Sequence, residues 1–154
     1  MKVLIVGGGK TGLSVARFYR ERGDEVVIND IRREEEFSPE EMRRIREVAR
    51  FVGGGHKEEL FRWAERIIVS PGVPPSVLPL LEEERYKFKG DIEDAYEWFD
   101  GNIIGVTGTK GKTSFCTLLS EVLRDAGYRV FTGGNIGLPY ICLLYTSPSP
   151  RDRQ

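Results

Sequence analysis

The chain has 154 residues, 40% hydrophobic and 31% charged, with a formal net charge of −1, the composition of an ordinary soluble domain. The near-neutral balance excludes nucleic-acid or membrane-surface binding driven by bulk charge, and no apolar run approaches the roughly 20 residues that span a bilayer. The opening apolar stretch, residues 3–6, is too short for a signal-peptide core, so a cytoplasmic location is expected.

In chain order, strand and helix signals alternate. Val3-Leu4-Ile5-Val6 is continuously apolar and ends in glycines, which reads as a buried parallel strand. Residues 11–22 carry Leu13, Ala16 and Phe18 or Tyr19 at helical spacing, and Gly23 supplies the stop. Val26-Val27-Ile28 is a second buried strand, and residues 31–37 are a charged loop. Ser38 then reads as an N-cap, with Pro39 at the first helical position and Glu41 completing a capping box; Met42, Ile45 and Val48 line one face of that helix. Phe51-Val52 is a short strand, residues 58–65 a short helix, and Ile67-Ile68-Val69 a further strand before a Pro-rich loop. Residues 78–84 look helical, 86–88 strand-like and 92–99 helical.

The alternation then starts again. Ile103-Ile104-Gly105-Val106 reads as a strand, followed by a Gly-rich turn and a helix over residues 112–126. That helix has a wide apolar face of Phe115, Leu118, Leu119, Val122 and Leu123, and Arg129-Val130-Phe131 follows as a strand. Charge changes sign at the restart. Residues 1–100 hold 17 Lys and Arg against 21 Asp and Glu, net −4, whereas residues 101–154 hold 6 against 3, net +3. The turn-like Asp100-Gly101 is therefore taken as a domain boundary. Residues 144–154 show no periodicity and read as a flexible tail or as translated adapter read-through; residues 142–154 are assigned to a non-native tail. Cys116 and Cys142, with no C-x-x-C, support neither a disulfide framework nor a zinc knuckle. The single histidine, His56, reads as a polar loop residue.

Two glycine clusters carry chemistry. Gly7-Gly8-Gly9-Lys10-Thr11-Gly12 satisfies G-x-G-x-x-G between a strand and a helix, and Asp30 ends the next strand 18 residues beyond Gly12. Together these make the dinucleotide-binding fingerprint in its required context. The glycines permit a tight turn, the helix N-terminus offers N–H groups to a phosphate, and the carboxylate can accept from a ribose or base. Thr107-Gly108-Thr109-Lys110-Gly111-Lys112-Thr113 ends like a phosphate-binding loop, although Val106 stands where the strict pattern needs Gly. Gly108 and Gly111 allow successive N–H groups to face phosphate oxygens, Lys112 can reach the outer phosphates, and the Thr113 hydroxyl can ligate Mg²⁺. Two such loops imply two phosphorylated ligands. Ser70-Pro71-Gly72-Val73-Pro74-Pro75 follows a strand of the first sheet and is expected at its carboxyl edge, as a ligand loop or a rigid Pro turn. Gly133-Gly134-Asn135-Ile136-Gly137 could present N–H groups and an amide to an anion.

These motifs in this order resemble the Mur ligase family. The carrying residues are Gly-Lys-Thr-Gly-Leu-Ser (9–14), Asn-Asp-Ile-Arg (29–32), Val-Ser-Pro-Gly-Val-Pro (69–74), Gly-Asp-Ile-Glu (90–93), Val-Thr-Gly-Thr-Lys-Gly-Lys-Thr (106–113) and Gly-Gly-Asn-Ile-Gly (133–137). The Thr-Gly-Leu-Ser helix start and the Ser-Pro-Gly loop point to the glutamate-adding member. The resemblance implies an α/β protein: a Rossmann-like parallel-sheet domain over residues 1–100, which binds a UDP-sugar peptide rather than NAD, and the truncated start of a P-loop ATPase-type domain over residues 101–141. It places Gly9, Lys10, Thr11, Asp30, Ile31, Arg32, Ser70, Pro71, Gly72, Gly134 and Asn135 around the UDP-substrate, with Asp30 accepting from the uracil ring. It places Gly108, Thr109, Lys110, Gly111, Lys112, Thr113 and Ser114 around ATP, with Lys112 catalytic and Thr113 holding Mg²⁺. Its implied reaction joins UDP-MurNAc-L-alanine to D-glutamate through an acyl phosphate, in a cytoplasmic monomer. The family's third domain and the rest of its central domain are missing, so the chain is expected to be inactive alone. Two other readings stay open: an NAD-dependent oxidoreductase domain, and a nucleotide-binding module without chemistry.

Overall fold

The computed structural model describes residues 1–74, 76, 78 and 82–133, with the backbone alone for residues 82–84. The chain divides into two compact units, Met1–Asp94 and Ala95–Gln154.

In the first unit, strands β1 (Lys2–Val6), β2 (Glu25–Asn29), β3 (Arg50–Val52), β4 (Arg66–Val69) and β5 (Phe88–Gly90) form one sheet in the order β3-β2-β1-β4-β5. Every pairing is parallel, with Leu4 opposite Val27 on one side and Ile67 on the other. A parallel sheet covered on both faces needs strands that are apolar at every position. β1 meets that demand, since Val3, Leu4, Ile5 and Val6 are all fully buried. Removing such a side chain from water contributes roughly 1.5–3 kcal/mol.

The two faces alternate along β1. Leu4 and Val6 pack with Leu60, Phe61 and Ala64 at helix α3 (Glu58–Trp63). Ile5 faces helix α1 (Lys10–Glu21), where Gly12 lies close to its Cγ2 atom. α1 buries Gly12, Val15, Ala16 and Tyr19, one stripe at helical spacing, and the chain leaves it through Gly23 at φ +83°. Helix α2 (Pro39–Val48) begins as the sequence predicts: the Ser38 hydroxyl accepts from the Glu41 N–H at 3.2 Å, and Glu41 accepts from the Ser38 N–H at 2.8 Å. Met42, Ile45 and Val48 are its buried face.

Three expected strands differ, and the helix expected at 78–84 lies partly outside the described residues. Leu78 sits in a bend and Glu82–Lys87 form a 3-10 segment, so Tyr86 lies in that segment and the strand begins at Phe88. Residues 103–106 and 129–131 form no strand. A parallel strand is held by hydrogen bonds to a neighbour, and none of the described residues of the second unit pairs in a sheet. Ile103 and Ile104 are accordingly 45% and 60% exposed.

Helix α4 (Asp91–Trp98) runs across the division between the units in sequence, and helix α5 (Lys112–Asp125) forms as predicted. The expected apolar face of α5 is not buried: Phe115, Leu118 and Val122 are more than half exposed, and Ser120 is its one buried residue. Gly134, Asn135, the loop around them and the tail at 142–154 lie outside the described residues.

Candidate functional site

In a doubly wound sheet the ligand crevice opens at the carboxyl ends of the strands, where the chain leaves neighbouring strands in opposite directions. Here those neighbours are β1 and β4. The turn after β1 faces the loop after β4. The Ser70 hydroxyl donates to the Gly7 carbonyl at 3.4 Å, and the Ser70 N–H donates to the Val6 carbonyl at 3.0 Å.

Each glycine of the fingerprint has its own reason. Gly7 sits at φ +106°, a conformation that side chains other than glycine rarely adopt. A Cβ on Gly12 would lie 1.9 Å from the Gly7 carbonyl oxygen, so the third glycine lets α1 close against the turn. Gly9 is different: it is ordinary extended backbone with no atom within 4 Å of an added Cβ. It is also the N-cap of α1, without a side-chain cap and with no acidic residue in the first turn. The positive end of the helix therefore opens into the crevice beside Gly9, ready for an anion. Lys10 is exposed there and Thr11 half-buried, while Pro71 and Gly72 lie exposed on the facing loop.

The end of β2 is the third wall. Asp30 is 5% exposed, and both of its oxygens are engaged by the chain. Oδ2 accepts from the Gly8 N–H at 2.7 Å and from Arg32 Nη2 at 3.1 Å. Oδ1 accepts from the Arg32 N–H at 2.9 Å and from Arg32 Nε at 3.2 Å. Burial pushes the carboxyl upward, but the hydrogen bonds from Arg32 and Gly8 outweigh it and hold the group below its usual range. The Arg32 guanidinium lies 3.9 Å from the centroid of the Phe37 ring, and Phe37 meets Phe51 edge-on at 5.2 Å. Ile31, between Asp30 and Arg32 in sequence, is largely exposed to solvent.

Asn29, one residue earlier, ties down the loop after β3. Its side-chain amide donates to the carbonyls of Val52 at 2.8 Å and Gly55 at 2.9 Å. With both amide hydrogens used, the Asn29 oxygen faces His56 Nδ1 at 2.6 Å, so that nitrogen carries the hydrogen. His56 is thus a brace of the site's edge rather than a plain loop residue. Asn29, Phe37 and His56 were not singled out as site residues from sequence. The available signals were a polar residue closing the apolar run 26–28 and an aromatic ending a run of glutamates.

The second glycine loop belongs to the second unit. Gly111 caps α5 in the left-handed region at φ +79°, Gly108 stands at φ +157°, and α5 also begins without a side-chain cap or an acid in its first turn. Lys112 Nζ donates to the Gly108 carbonyl, folding the ammonium over the loop. Thr109, Lys110, Thr113 and Ser114 are exposed. Uncapped N–H groups, a cation and free hydroxyls are the donor set that phosphate oxygens require. Among the described residues no group of three or more His, Cys, Asp or Glu could hold a metal ion. Among the described residues no helix is long and apolar enough to cross a membrane.

Comparison with known proteins follows the same lines. Residues 1–85 match the family model described as Mur ligase MurD-like, N-terminal domain. UDP-N-acetylmuramoylalanine–D-glutamate ligase from Acidobacterium capsulatum is 39% identical over 145 residues, which is 93% of this chain and 32% of that protein. The ligase of the same name from Desulfosudis oleivorans is 40% identical over 147 residues, 91% of this chain and 31% of that protein. This chain thus spans about a third of the length of the relatives it matches. A pseudomurein peptide ligase type C from Methanothermus fervidus is similar in structure, with a TM-score of 0.51 and 25% identity, over 82% of this chain and 26% of that one.

Proposed function

The chain belongs to the Mur ligase family, with a MurD-like N-terminal domain, and on that premise we propose that it is part of an ATP-dependent, ADP-forming ligase that adds D-glutamate to UDP-MurNAc-L-alanine. Residues 1–100 are the UDP-substrate domain in this reading, and residues 101–141 begin the ATP domain. One observation carries it: the crevice between the Gly7–Gly12 turn and the Ser70 loop, into which the uncapped end of α1 opens beside Gly9. A diphosphate is the ligand such a crevice stabilises, because N–H groups and the helix dipole converge there. Lys10 and Thr11 would flank it, Arg32 and Ile31 would lie toward the nucleoside, and Ser70, Pro71 and Gly72 toward the sugar. Gly134 and Asn135 are proposed on the diphosphate side by resemblance alone.

In the second unit, Gly108–Ser114 would cradle ATP, with Lys112 leaving the Gly108 carbonyl for the transferring phosphoryl group and Thr113 holding Mg²⁺. ATP supplies the phosphoryl group that activates the substrate carboxylate for attack by the D-glutamate amine. The 154-residue chain by itself is proposed not to turn over. The test is calorimetric titration of the chain with UDP-MurNAc-L-alanine, UDP and NAD. Tighter binding of the uridine ligands is expected; tighter NAD binding would replace this reading with the oxidoreductase one.

A further inference from the structure

We infer that the Tyr19–Arg66–Asp94 cluster is a coupling device, with Asp94 as its positioning residue. It clasps the far ends of the two elements whose near ends wall the crevice, and ties both to α4, through which the chain passes into the second unit. The inference takes its ligand from the uridine-nucleotide reading of the crevice, and its mechanism from the opposite end of the sheet. The crevice lies between the turn that opens α1 and the Ser70 loop that follows β4. Both elements run from there to the same place. Tyr19 lies on α1 about 13 Å along the helix from Lys10. Arg66 opens β4, also about 13 Å of strand from Ser70. There they meet: Arg66 Nη1 donates to the Tyr19 hydroxyl at 3.2 Å, and both donate to Asp94 Oδ1 at 2.6 Å.

The cluster is interior. Tyr19 and Asp94 are fully buried, and the Arg66 side chain is 17% exposed. A carboxylate leaves water at a cost that only good partners offset, and an apolar trio would serve stability as well. What hydrogen bonds add is direction, since they weaken steeply when misaligned. They hold α1, β4 and α4 in one mutual placement, which non-directional apolar contact does not specify. At the near ends each wall is fixed to its element. Gly12 lets α1 close against the Gly7 carbonyl, and the Ser70 N–H, next after β4, donates to the Val6 carbonyl. A ligand that bridges the walls and a clasp that joins the far ends therefore favour the same placement. Two events that favour one state strengthen each other by the same factor. Asp94 is also the last residue of the first unit and Ala95 the first of the second, both inside α4. What the clasp fixes is thus the helix by which the chain leaves the first unit.

The test measures that reciprocity on the full chain, with UDP as the probe. Asp94→Ala removes the clasp and leaves no carboxylate in the interior. It should weaken UDP binding by about fivefold or more in calorimetric titration, the lower range of such couplings. In the wild type, saturating UDP should slow hydrogen exchange of the α4 amides at residues 95–98 by a similar factor. In Asp94→Ala, UDP should change those amides by less than about twofold while residues 3–6 still slow. A residue that only stabilises the fold would leave the affinity of the folded chain untouched. Unchanged UDP affinity in Asp94→Ala therefore overturns the inference, as does equal slowing of α4 in both proteins. Tyr19→Phe, which keeps the ring and the Arg66–Asp94 pair, serves should the alanine variant not fold. The loss of one hydroxyl bond should weaken UDP binding by about threefold, and no loss would overturn the inference. If the wild type binds NAD but not UDP, the uridine reading falls and the same comparison made with NAD decides the coupling. Binding of neither removes both.

Discussion

The two units make opposite use of similar sequence patterns. In Met1–Asp94 a strand of four apolar residues ending in glycines is fully buried between two neighbours, with α1 and α3 on its two faces. In the second unit Ile103-Ile104-Gly105-Val106, also apolar and also followed by a Gly-rich turn and a helix, forms no strand, and α5 leaves Phe115, Leu118 and Val122 more than half exposed. The lesson is that a β-strand is a property of a neighbourhood. The same local pattern becomes β1 where β2 and β4 flank it, and forms no strand where no described strand pairs with it.

The contrast is broken or sharpened most strongly by hydrogen exchange. Amides of residues 3–6 should open only with global unfolding, whereas those of residues 115–123 have a helix without a covered apolar face and should exchange faster by on the order of a hundredfold or more. Equal protection would mean that the second segment finds a core, and the boundary at residue 100 would have to be abandoned.

The next largest effect concerns a polar anchor that the first unit buries. Asp94 is fully buried, and its Oδ1 accepts from the Tyr19 hydroxyl and from Arg66 Nη1, both at 2.6 Å. Burial disfavours the Arg66 charge, but Asp94 and Tyr19 more than offset that and raise its pKa above normal. Arg66→Met would leave the Asp94 carboxylate in the interior without its cation, and should cost about 3–5 kcal/mol by urea unfolding. A loss below about 1 kcal/mol would show that the first unit does not depend on this cluster.

The fingerprint glycines come next, as a pair. Gly12→Ala places a methyl group 1.9 Å from the Gly7 carbonyl, and should destabilise by about 1–3 kcal/mol or more as α1 is pushed outward. Gly9→Ala meets open space in ordinary backbone and should change stability by under about 0.5 kcal/mol. If Gly9→Ala nonetheless weakens UDP binding, the open space beside α1 is where the ligand lies; unchanged binding would place the diphosphate elsewhere.

How far this was legible in sequence depends on how local the cause is. The Ser38–Glu41 capping box, the β1 run and the Gly7–Gly12 turn are dictated within a few residues, and each forms where the sequence places it. The strand expected at 86–88 starts two residues late, and those expected at 103–106 and 129–131 do not form, because apolar runs this short are decided by their neighbours. At the site, Asp30 was visible as the acid ending a strand. Its saturation by Gly8 and Arg32 was not, because the Gly8 bond joins positions 22 residues apart and the Arg32 bonds, though only two residues apart, depend on how the chain turns out of β2. His56 reads as a plain loop residue in sequence, since its partner Asn29 lies 27 residues away at the end of β2.

His56 also carries the smallest expected effect. It is the chain's only histidine, so it is the one side chain whose usual pKa falls between pH 5 and 8. Burial lowers its pKa from the usual 6.5, and the nearby Asp30 charge only partly opposes that. The unfolded chain therefore takes up the proton first as pH falls, and between 6.5 and the lower folded value it binds more protons than the native state. Stability should accordingly decline as pH drops below about 6.5. Asp30, whose pKa is depressed, works in a lower window, losing its contribution only as pH falls below its usual 3.8. Asp91, pushed upward by burial, acts with the opposite sign, also toward acid. Urea unfolding of the wild type and of His56→Gln at pH 7 and pH 5.5 isolates the histidine. The wild type should lose stability between the two, and the variant should lose less, because glutamine can still donate to Asn29 but takes up no proton. The same decline in both proteins would mean that His56 titrates as in the unfolded chain, and that the loop after β3 is not braced against β2 as the Asn29–His56 contact requires.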